Sequence, residues 1–142
     1  VEMIDIIQAP FNVLDRRLRD EGLLRRAAEA GKRVFLRSVY LQGLLLMPPD
    51  ALSPAMAFAA PTVERWRALC AAHGLSPLAA ALGFVRAQAP DAWIVVGCES
   101  ANQIDDNAAA ARAEAPPAAF MAAVESLRAD DPRLIDPRAW RR

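Results

Sequence analysis

The sequence predicts an α/β fold in which parallel strands are joined by crossover helices. Three short apolar runs, at residues 3–7, 34–36 and 93–96, are rich in β-branched residues and are predicted to be strands. The third run is continuous rather than alternating, which is typical of a parallel strand covered on both faces. Between the runs, apolar residues recur with the spacing of amphipathic helices.

Composition limits the class of protein. At 142 residues, 54% hydrophobic and 24% charged, the chain suits one domain with a core and not a disordered segment. Basic and acidic residues balance at 17 each, so charge gives no argument for nucleic acid or an acidic membrane. Two cysteines and one histidine argue against a disulfide scaffold and a zinc site. No apolar run approaches the roughly 20 residues of a transmembrane helix and no signal peptide is evident, so a cytoplasmic protein is predicted.

The beginning of the chain points to a larger protein. Val1 stands where an initiator methionine would be, and the first predicted strand follows at once. Three parallel strands alone leave two unpaired edges, which complete proteins usually cover. We therefore expect one of two partners: a preceding, N-terminal part of the same sheet, or further copies of this chain in an oligomer.

Residues 1–47 are predicted to hold the first two strands and the helix between them. Pro10 lacks an amide donor and is expected to close the first strand. Asp15 is the predicted cap of a helix over 14–28, and Gly31 is predicted to end that helix. The second strand then runs into residues 37–43 (RSVYLQG), a loop whose side chains could line a pocket.

Residues 48–92 are predicted to be a helical connection. Prolines punctuate residues 48–61, with one helical turn expected near 55–59. Thr62 is the predicted cap of a helix that ends near His73 and Gly74. Ser76 followed by Pro77 is a strong start signal for the next helix.

Residues 93–142 are predicted to hold the third strand, a helix and a C-terminal extension. Gly97 permits a sharp turn, and Ser100 or Asn102 can cap the helix that continues to residue 114. An amphipathic helix is predicted over 118–128, and the irregular segment 130–140 is expected to pack against the rest of the chain.

The turn after the third strand suits an anion, because the free amides of a helix's first turn would face it. No GxGxxG or P-loop spacing is present. An ordinary strand-to-helix connection without a ligand is the alternative. Cys98 lies in this turn, where a helix start can lower a thiol pKa; the commoner role for such a cysteine is a small buried hydrophobe.

Three segments, taken together and in order, resemble the aldo-keto reductases: residues 7–15 (IQAPFNVLD), 36–45 (LRSVYLQGLL) and 96–107 (VGCESANQIDDN). The ending at 135–140 (IDPRAW) resembles a bacterial branch of that family. The resemblance covers nearly the whole chain and implies strands six, seven and eight of a (β/α)₈ barrel, which is a partial TIM barrel. It implies an oxidoreductase that moves a hydride between NADP or NAD and the carbonyl of an aldehyde, ketone or sugar.

The resemblance also implies which residues bind the cofactor. Gln8 matches the glutamine that hydrogen-bonds the nicotinamide carboxamide, and Arg37 stands where many members place an aromatic residue against the nicotinamide ring. A guanidinium can stack on a ring, but its charge opposes the oxidised cofactor. Glu99 stands near where many members hold the 2′-phosphate with a basic residue, which weakens the case for NADP over NAD. The other matches are Ser38, Leu41 and Gly43 beside the pyrophosphate, Gly97, Cys98 and Ser100 near the adenosine phosphate, and Gln103, Asp106 and Asn107 around the adenine.

No catalytic residue is expected in this chain. The family's catalytic aspartate, tyrosine, lysine and histidine belong to the first four strands, and Lys32, Tyr40 and His73 lie on other elements. The complete protein is expected to be the reductase, and this chain its cofactor-binding C-terminal portion, inactive alone. The alternative is a non-catalytic partial-barrel module that persists by self-association.

Overall fold

Parallel pairing of strands builds the centre of the fold. The computed structural model describes residues 3–140, and within that range the strands are β1 (Ile6–Pro10), β2 (Arg33–Arg37) and β3 (Trp93–Ile94). They form one sheet in the order β1-β2-β3, and both pairings are parallel. Gln8 lies beside Phe35, which in turn lies beside Trp93. The predicted α/β class with parallel strands is confirmed.

The limits of two strands differ from the prediction. β1 begins at Ile6 and includes Pro10, which was expected to close the strand earlier. Proline is tolerated there because β1 pairs on one side only, and the next amide, that of Phe11, donates to the Arg37 carbonyl at 3.0 Å. β3 is only two residues long, although the Val95 amide still donates to the Leu36 carbonyl at 2.8 Å.

The single helix predicted over residues 14–28 is two helices, α1 (Arg17–Asp20) and α2 (Leu23–Glu29). Gly22 separates them in a left-handed conformation with φ of 70°. Asp15 is not a helix cap; it is buried and accepts hydrogen bonds from Arg17 at 2.7 and 2.8 Å. Gly31 follows α2 with φ of 64°, and its amide bonds the Ala28 carbonyl, as its predicted role at the helix end requires.

Two helices and the turns before them connect β2 to β3. Short 3₁₀ turns at Pro49–Ala51 and Pro54–Ala59 precede α3 (Ala60–Ala72), and α4 (Pro77–Gln88) follows. The helical turn predicted near 55–59 is confirmed, but Thr62 is not a cap, because α3 begins before it and buries its side chain. Ser76 does cap α4: its hydroxyl oxygen accepts from the Ala79 amide at 3.2 Å.

The last part of the described chain contains α5 (Ala101–Arg112), α6 (Ala118–Val124) and two 3₁₀ turns, Pro132–Ile135 and Pro137–Ala139. Ser100 caps α5, so the choice between Ser100 and Asn102 is settled in its favour. α6 is shorter than predicted. The terminal segment packs down as expected: Leu134 is buried and the Trp140 indole nitrogen donates to the Arg133 carbonyl at 2.7 Å.

The two faces of the sheet have different environments. On the helix-covered face, Val34 and Leu36 of β2 join a core whose largest fully buried side chains include Phe11, Trp66, Phe84 and Phe120. The other face, here called the open sheet face, carries Ile6, Gln8, Arg33, Phe35, Arg37, Trp93 and Val95. Trp93 is 64% exposed and Ile6 50% exposed. Residues 3–140 therefore cover β3 on one face only, whereas the sequence predicted cover on both.

No single helix within residues 3–140 is long and apolar enough to span a membrane. Within residues 3–140, only the bent pair Pro54–Ala72 and Pro77–Gln88, whose two parts meet at 86°, is long and apolar enough when both parts are counted together.

Candidate functional site

A cavity of about 640 Å³ lies at the carboxyl ends of the three strands. The middle of β1 contributes Gln8, the end of β2 contributes Arg37, and the extended segment after β3 contributes Val95 and Val96. Because parallel strands end at the same edge of a sheet, the loops that follow them meet there. The loops and helices around this edge complete the lining with Ser38, Val39, Tyr40, Gln42, Gly43, Leu46, Leu78, Gly97, Cys98, Glu99, Gln103 and Asn107.

The loop after β2 is held in an unusual backbone conformation. Ser38, Leu41 and Gln42 have positive φ values of 59°, 50° and 56°, and Gly43 has 86°. Non-glycine residues avoid this region, so the surrounding structure must hold them there. The Asn12 side-chain amide, itself buried, donates to the Ser38 carbonyl at 3.1 Å and thereby ties the loop after β1 to the loop after β2.

A hydrogen-bond chain joins the loop after β2 to α5 and to the turn before it. The Tyr40 hydroxyl donates to the Asn107 side-chain oxygen. The Asn107 amide donates to the Gln103 carbonyl at 2.6 Å and lies 3.5 Å from the Cys98 sulfur. The Gln103 side-chain oxygen accepts from the Glu99 amide at 2.7 Å. These hydrogen bonds therefore fix the shape of this side of the cavity.

Burial raises the pKa of Tyr40 to about 12, and the nearby Cys98 contributes in the same direction. Since Tyr40 is the only tyrosine in the sequence, tyrosinate absorbance of the folded chain reports this hydroxyl alone. We expect its titration midpoint to lie clearly above the midpoint of the chain unfolded in urea, which should be about 10. Because the folded-state pKa is the higher one, the contribution of Tyr40 to stability is intact below about pH 10 and declines as pH rises toward its folded pKa. A folded-state midpoint near 10 would show that the hydroxyl is exposed and does not bond Asn107.

The cavity brings together most of the cofactor-binding residues that the resemblance implies. Its lining includes Gln8, Arg37, Ser38, Gly43, Gly97, Cys98, Gln103 and Asn107. Three others lie outside it. The Leu41 side chain is buried in the core, Ser100 caps α5, and Asp106 is exposed on α5. For all of these residues the cofactor-binding roles stay predictions.

Some features of the site differ from the sequence interpretation or are new. Cys98 is exposed, so the commoner role of a small buried hydrophobe is wrong for it. Leu46, Leu78, Val95 and Val96 were not anticipated as lining residues. Leu78 comes from α4, and no local signal in the sequence indicates that its first turn reaches the strand ends. Val95 and Val96 could have been found, since they directly precede the Gly97 turn.

Charge is sparse in the cavity. Among the described lining residues, Arg37 is the one cation and Glu99 the one carboxylate. The Arg37 guanidinium donates to the Ser38 hydroxyl oxygen at 3.1 Å. No cluster of three His, Cys, Asp or Glu side chains within residues 3–140 is arranged to hold a metal ion.

Comparison with known proteins gives a consistent result. A family model described as the aldo/keto reductase family matches residues 2–129. Among solved structures, the apo form of an aldo-keto reductase from Bacillus halodurans is 21% identical with a TM-score of 0.64, over 87% of this chain and 43% of that chain. The holo form of the same enzyme is also 21% identical, with a TM-score of 0.65, over 88% of this chain and 43% of that chain. A glycerol dehydrogenase from Gluconobacter oxydans is 20% identical with a TM-score of 0.67, over 86% of this chain and 41% of that chain.

A comparison with curated protein sequences found no match. The chain spans about two fifths of the length of the solved structures it resembles, so its sheet is the predicted partial (β/α)₈ barrel. Both organisms are bacteria, which agrees with the predicted branch. Since the family model covers nearly the whole sequence, the chain belongs to the aldo/keto reductase family.

Proposed function

We propose that this chain is the C-terminal, cofactor-binding portion of an NAD(P)-dependent aldo-keto reductase. The observation that carries the proposal is the cavity at the strand ends, because β1, the end of β2 and the segment after β3 all contribute residues to its lining. Its volume of about 640 Å³ lies within the usual range for sites of small molecules and cofactors. The complete protein would be an oxidoreductase that reduces an aldehyde, a ketone or a sugar carbonyl.

The residues present suit a nicotinamide dinucleotide. Gln8 offers a side-chain amide from β1, where the nicotinamide carboxamide is expected, and it makes no side-chain hydrogen bond within residues 3–140. Gln103 and Asn107 place amide groups at the opposite side, where the adenine is expected. Leu41 can contribute only through its backbone, since its side chain is in the core. When bound, the nicotinamide would supply the hydride, and these residues would hold and orient it.

The proton donor for carbonyl reduction is proposed to come from the rest of the barrel. Such a donor must stand beside the developing alkoxide. The Tyr40 hydroxyl instead donates to Asn107, and burial raises its pKa to about 12. Lys32 lies at the other end of β2, with its ammonium 3.8 Å from an Asp5 carboxylate oxygen. His73 ends α3 and packs edge-on against Phe120, with ring centroids 5.7 Å apart.

The alternative, a non-catalytic module that persists by self-association, is favoured by the open sheet face. Apolar side chains as exposed as Trp93 and Ile6 form a patch that soluble monomers usually cover. In the leading proposal, the preceding strands of the barrel cover this face. In the alternative, further copies of the chain do so.

Titration of the chain with NADH and NADPH tests the proposal. We expect binding of both cofactors, without strong preference for NADPH, and no turnover with a panel of aldehydes and ketones. Glu99→Gln should raise NADPH affinity by about fivefold, because it removes a charge that repels the 2′-phosphate, and leave NADH affinity unchanged. Glu114→Gln, at an exposed position beyond α5, is the matched control.

The possible results separate the two functions. An assembly in light scattering that binds neither cofactor would contradict the cofactor-binding role and support the module. Carbonyl turnover that is lost on changing Tyr40 or His73 would show that the acid is in this chain. A strong NADPH preference that Glu99→Gln leaves untouched would show that Glu99 does not face the 2′-phosphate.

A further inference from the structure

Arg37 lines the candidate site and has no oppositely charged partner within residues 3–140. It ends β2, the middle strand of the sheet, and its side chain is exposed on the open sheet face. Within residues 3–140, no carboxylate forms an ion pair with it, and its guanidinium donates only to the Ser38 hydroxyl. An exposed guanidinium at the wall of a cavity has donors to spare for an anion.

The backbone of the loop that follows Arg37 offers further donors. Ser38 begins the loop with positive φ values, and its hydroxyl oxygen accepts a hydrogen bond from the Arg37 guanidinium. Arg37 is therefore turned toward this loop. The amides of Gln42 and Gly43 have no hydrogen-bond acceptor among the described residues, and both residues line the cavity. A cation and free amides along one loop suit a phosphate group better than an aromatic ring.

We infer that Arg37 binds the pyrophosphate of the dinucleotide and does not stack on its nicotinamide ring. The inference rests on the proposed function, because it assigns a contact within that cofactor site. The inference also explains why an arginine can occupy this position. Its positive charge is unfavourable beside the positively charged oxidised nicotinamide, but it stabilises the cofactor when it is paired with the phosphate oxygens.

Binding of cofactor fragments can distinguish the two roles of Arg37. ADP-ribose contains the pyrophosphate but lacks the nicotinamide, and adenosine contains neither. In the full chain, Arg37→Gln should lower the affinities for ADP-ribose and for NADH by about tenfold each. That is the usual scale for a lost charge-assisted hydrogen bond at a partly exposed site. Adenosine affinity should not change, and the salt dependence of ADP-ribose binding should become shallower.

Two further substitutions and a matched control complete the experiment. Arg37→Lys keeps the charge and should lose less affinity than Arg37→Gln. Arg37→Tyr, which supplies a stacking ring, should bind ADP-ribose as weakly as Arg37→Gln. Arg33→Gln is the control, because Arg33 lies on the same strand and face but at its other end, roughly 13 Å away at the usual rise of a strand.

The outcomes separate this inference from the proposed function. If Arg37→Gln weakens NADH but not ADP-ribose, and Arg37→Tyr restores NADH binding, the guanidinium acts at the ring and the inference is wrong while the cofactor site stands. If the unsubstituted chain binds neither ADP-ribose nor NADH, the proposed function itself fails. If Arg33→Gln weakens ADP-ribose as much as Arg37→Gln does, the effect is general charge and not a contact.

Discussion

Trp66→Ala is expected to lower the free energy of unfolding by about 4 kcal/mol, the usual scale for emptying a large buried aromatic site. Trp66 is fully buried in α3 and packs edge-on against Phe120, with ring centroids 6.1 Å apart. Its indole nitrogen also donates to the Leu45 carbonyl at 2.9 Å. The substitution thus creates a cavity and leaves a buried carbonyl unpaired. Urea unfolding followed by circular dichroism measures the loss.

Two variants test whether burial is the cause. Trp66→Phe refills most of the cavity but cannot bond Leu45, so its cost should be intermediate. Trp93→Ala removes the same side chain from an exposed position and should cost less than about 1 kcal/mol. Equal losses at Trp66 and Trp93 would contradict the packing described for α3. Because Leu45 lies just beyond the loop after β2, Trp66→Ala should also weaken any ligand bound in the cavity.

Glu125→Gln is expected to lower the free energy of unfolding by about 2 kcal/mol, because it leaves a buried guanidinium without its counter-ion. The Arg16 side chain is only 2% exposed and donates to Glu125 at 2.9 Å, while Arg19 donates to the other oxygen at 2.5 Å. The Arg19 hydrogen bond is the main reason that the pKa of Glu125 is lowered, and Arg16 and Arg128 act in the same direction. Urea unfolding at several pH values measures the effect.

The pH dependence gives this prediction a second readout. A carboxylate with a lowered folded-state pKa stabilises the fold above its unfolded pKa, which is about 4.3, and this contribution is lost as pH falls through the folded value. The difference between the original chain and Glu125→Gln should therefore shrink below about pH 4. Glu21→Gln, at an exposed position after α1, is the control and should change stability by less than about 0.5 kcal/mol. A constant difference at all pH values would mean that the charge of Glu125 is not what matters.

Local signals in the sequence were sufficient for much of the fold. Ser76 and Pro77 mark the start of α4 because a hydroxyl cap and a proline both suit a first helical turn. Gly31 marks the end of α2 because it adopts the left-handed conformation needed there. The apolar runs predicted all three strands within a few residues. The family resemblance, not local pattern, supplied the candidate residues at the strand ends.

The features that were missed depend on partners far away in the sequence. Asp15 follows the pattern of a cap, but burial of residues 11–16 and the bond to Arg17 give it another role. Thr62 also has the character of a cap, yet α3 begins earlier and draws it into the core. Tyr40 and Asn107 are 67 positions apart, so their hydrogen bond follows only from the way β2 and α5 are brought together.

The exposure of Trp93 has an optical consequence. Of the three tryptophans in the sequence, Trp66 is fully buried and Trp140 partly buried, while Trp93 stands on the open sheet face, stacked on Phe35 at 6.1 Å. Its indole therefore emits at longer wavelength than that of Trp66, and anything that covers the face moves this emission toward the blue. Since Val95, two residues further on, lines the cavity, a bound reduced nicotinamide would lie close enough to accept its excitation. Trp93 thus adds to the intrinsic fluorescence a component that responds both to closure of the sheet and to filling of the cavity, with no label added.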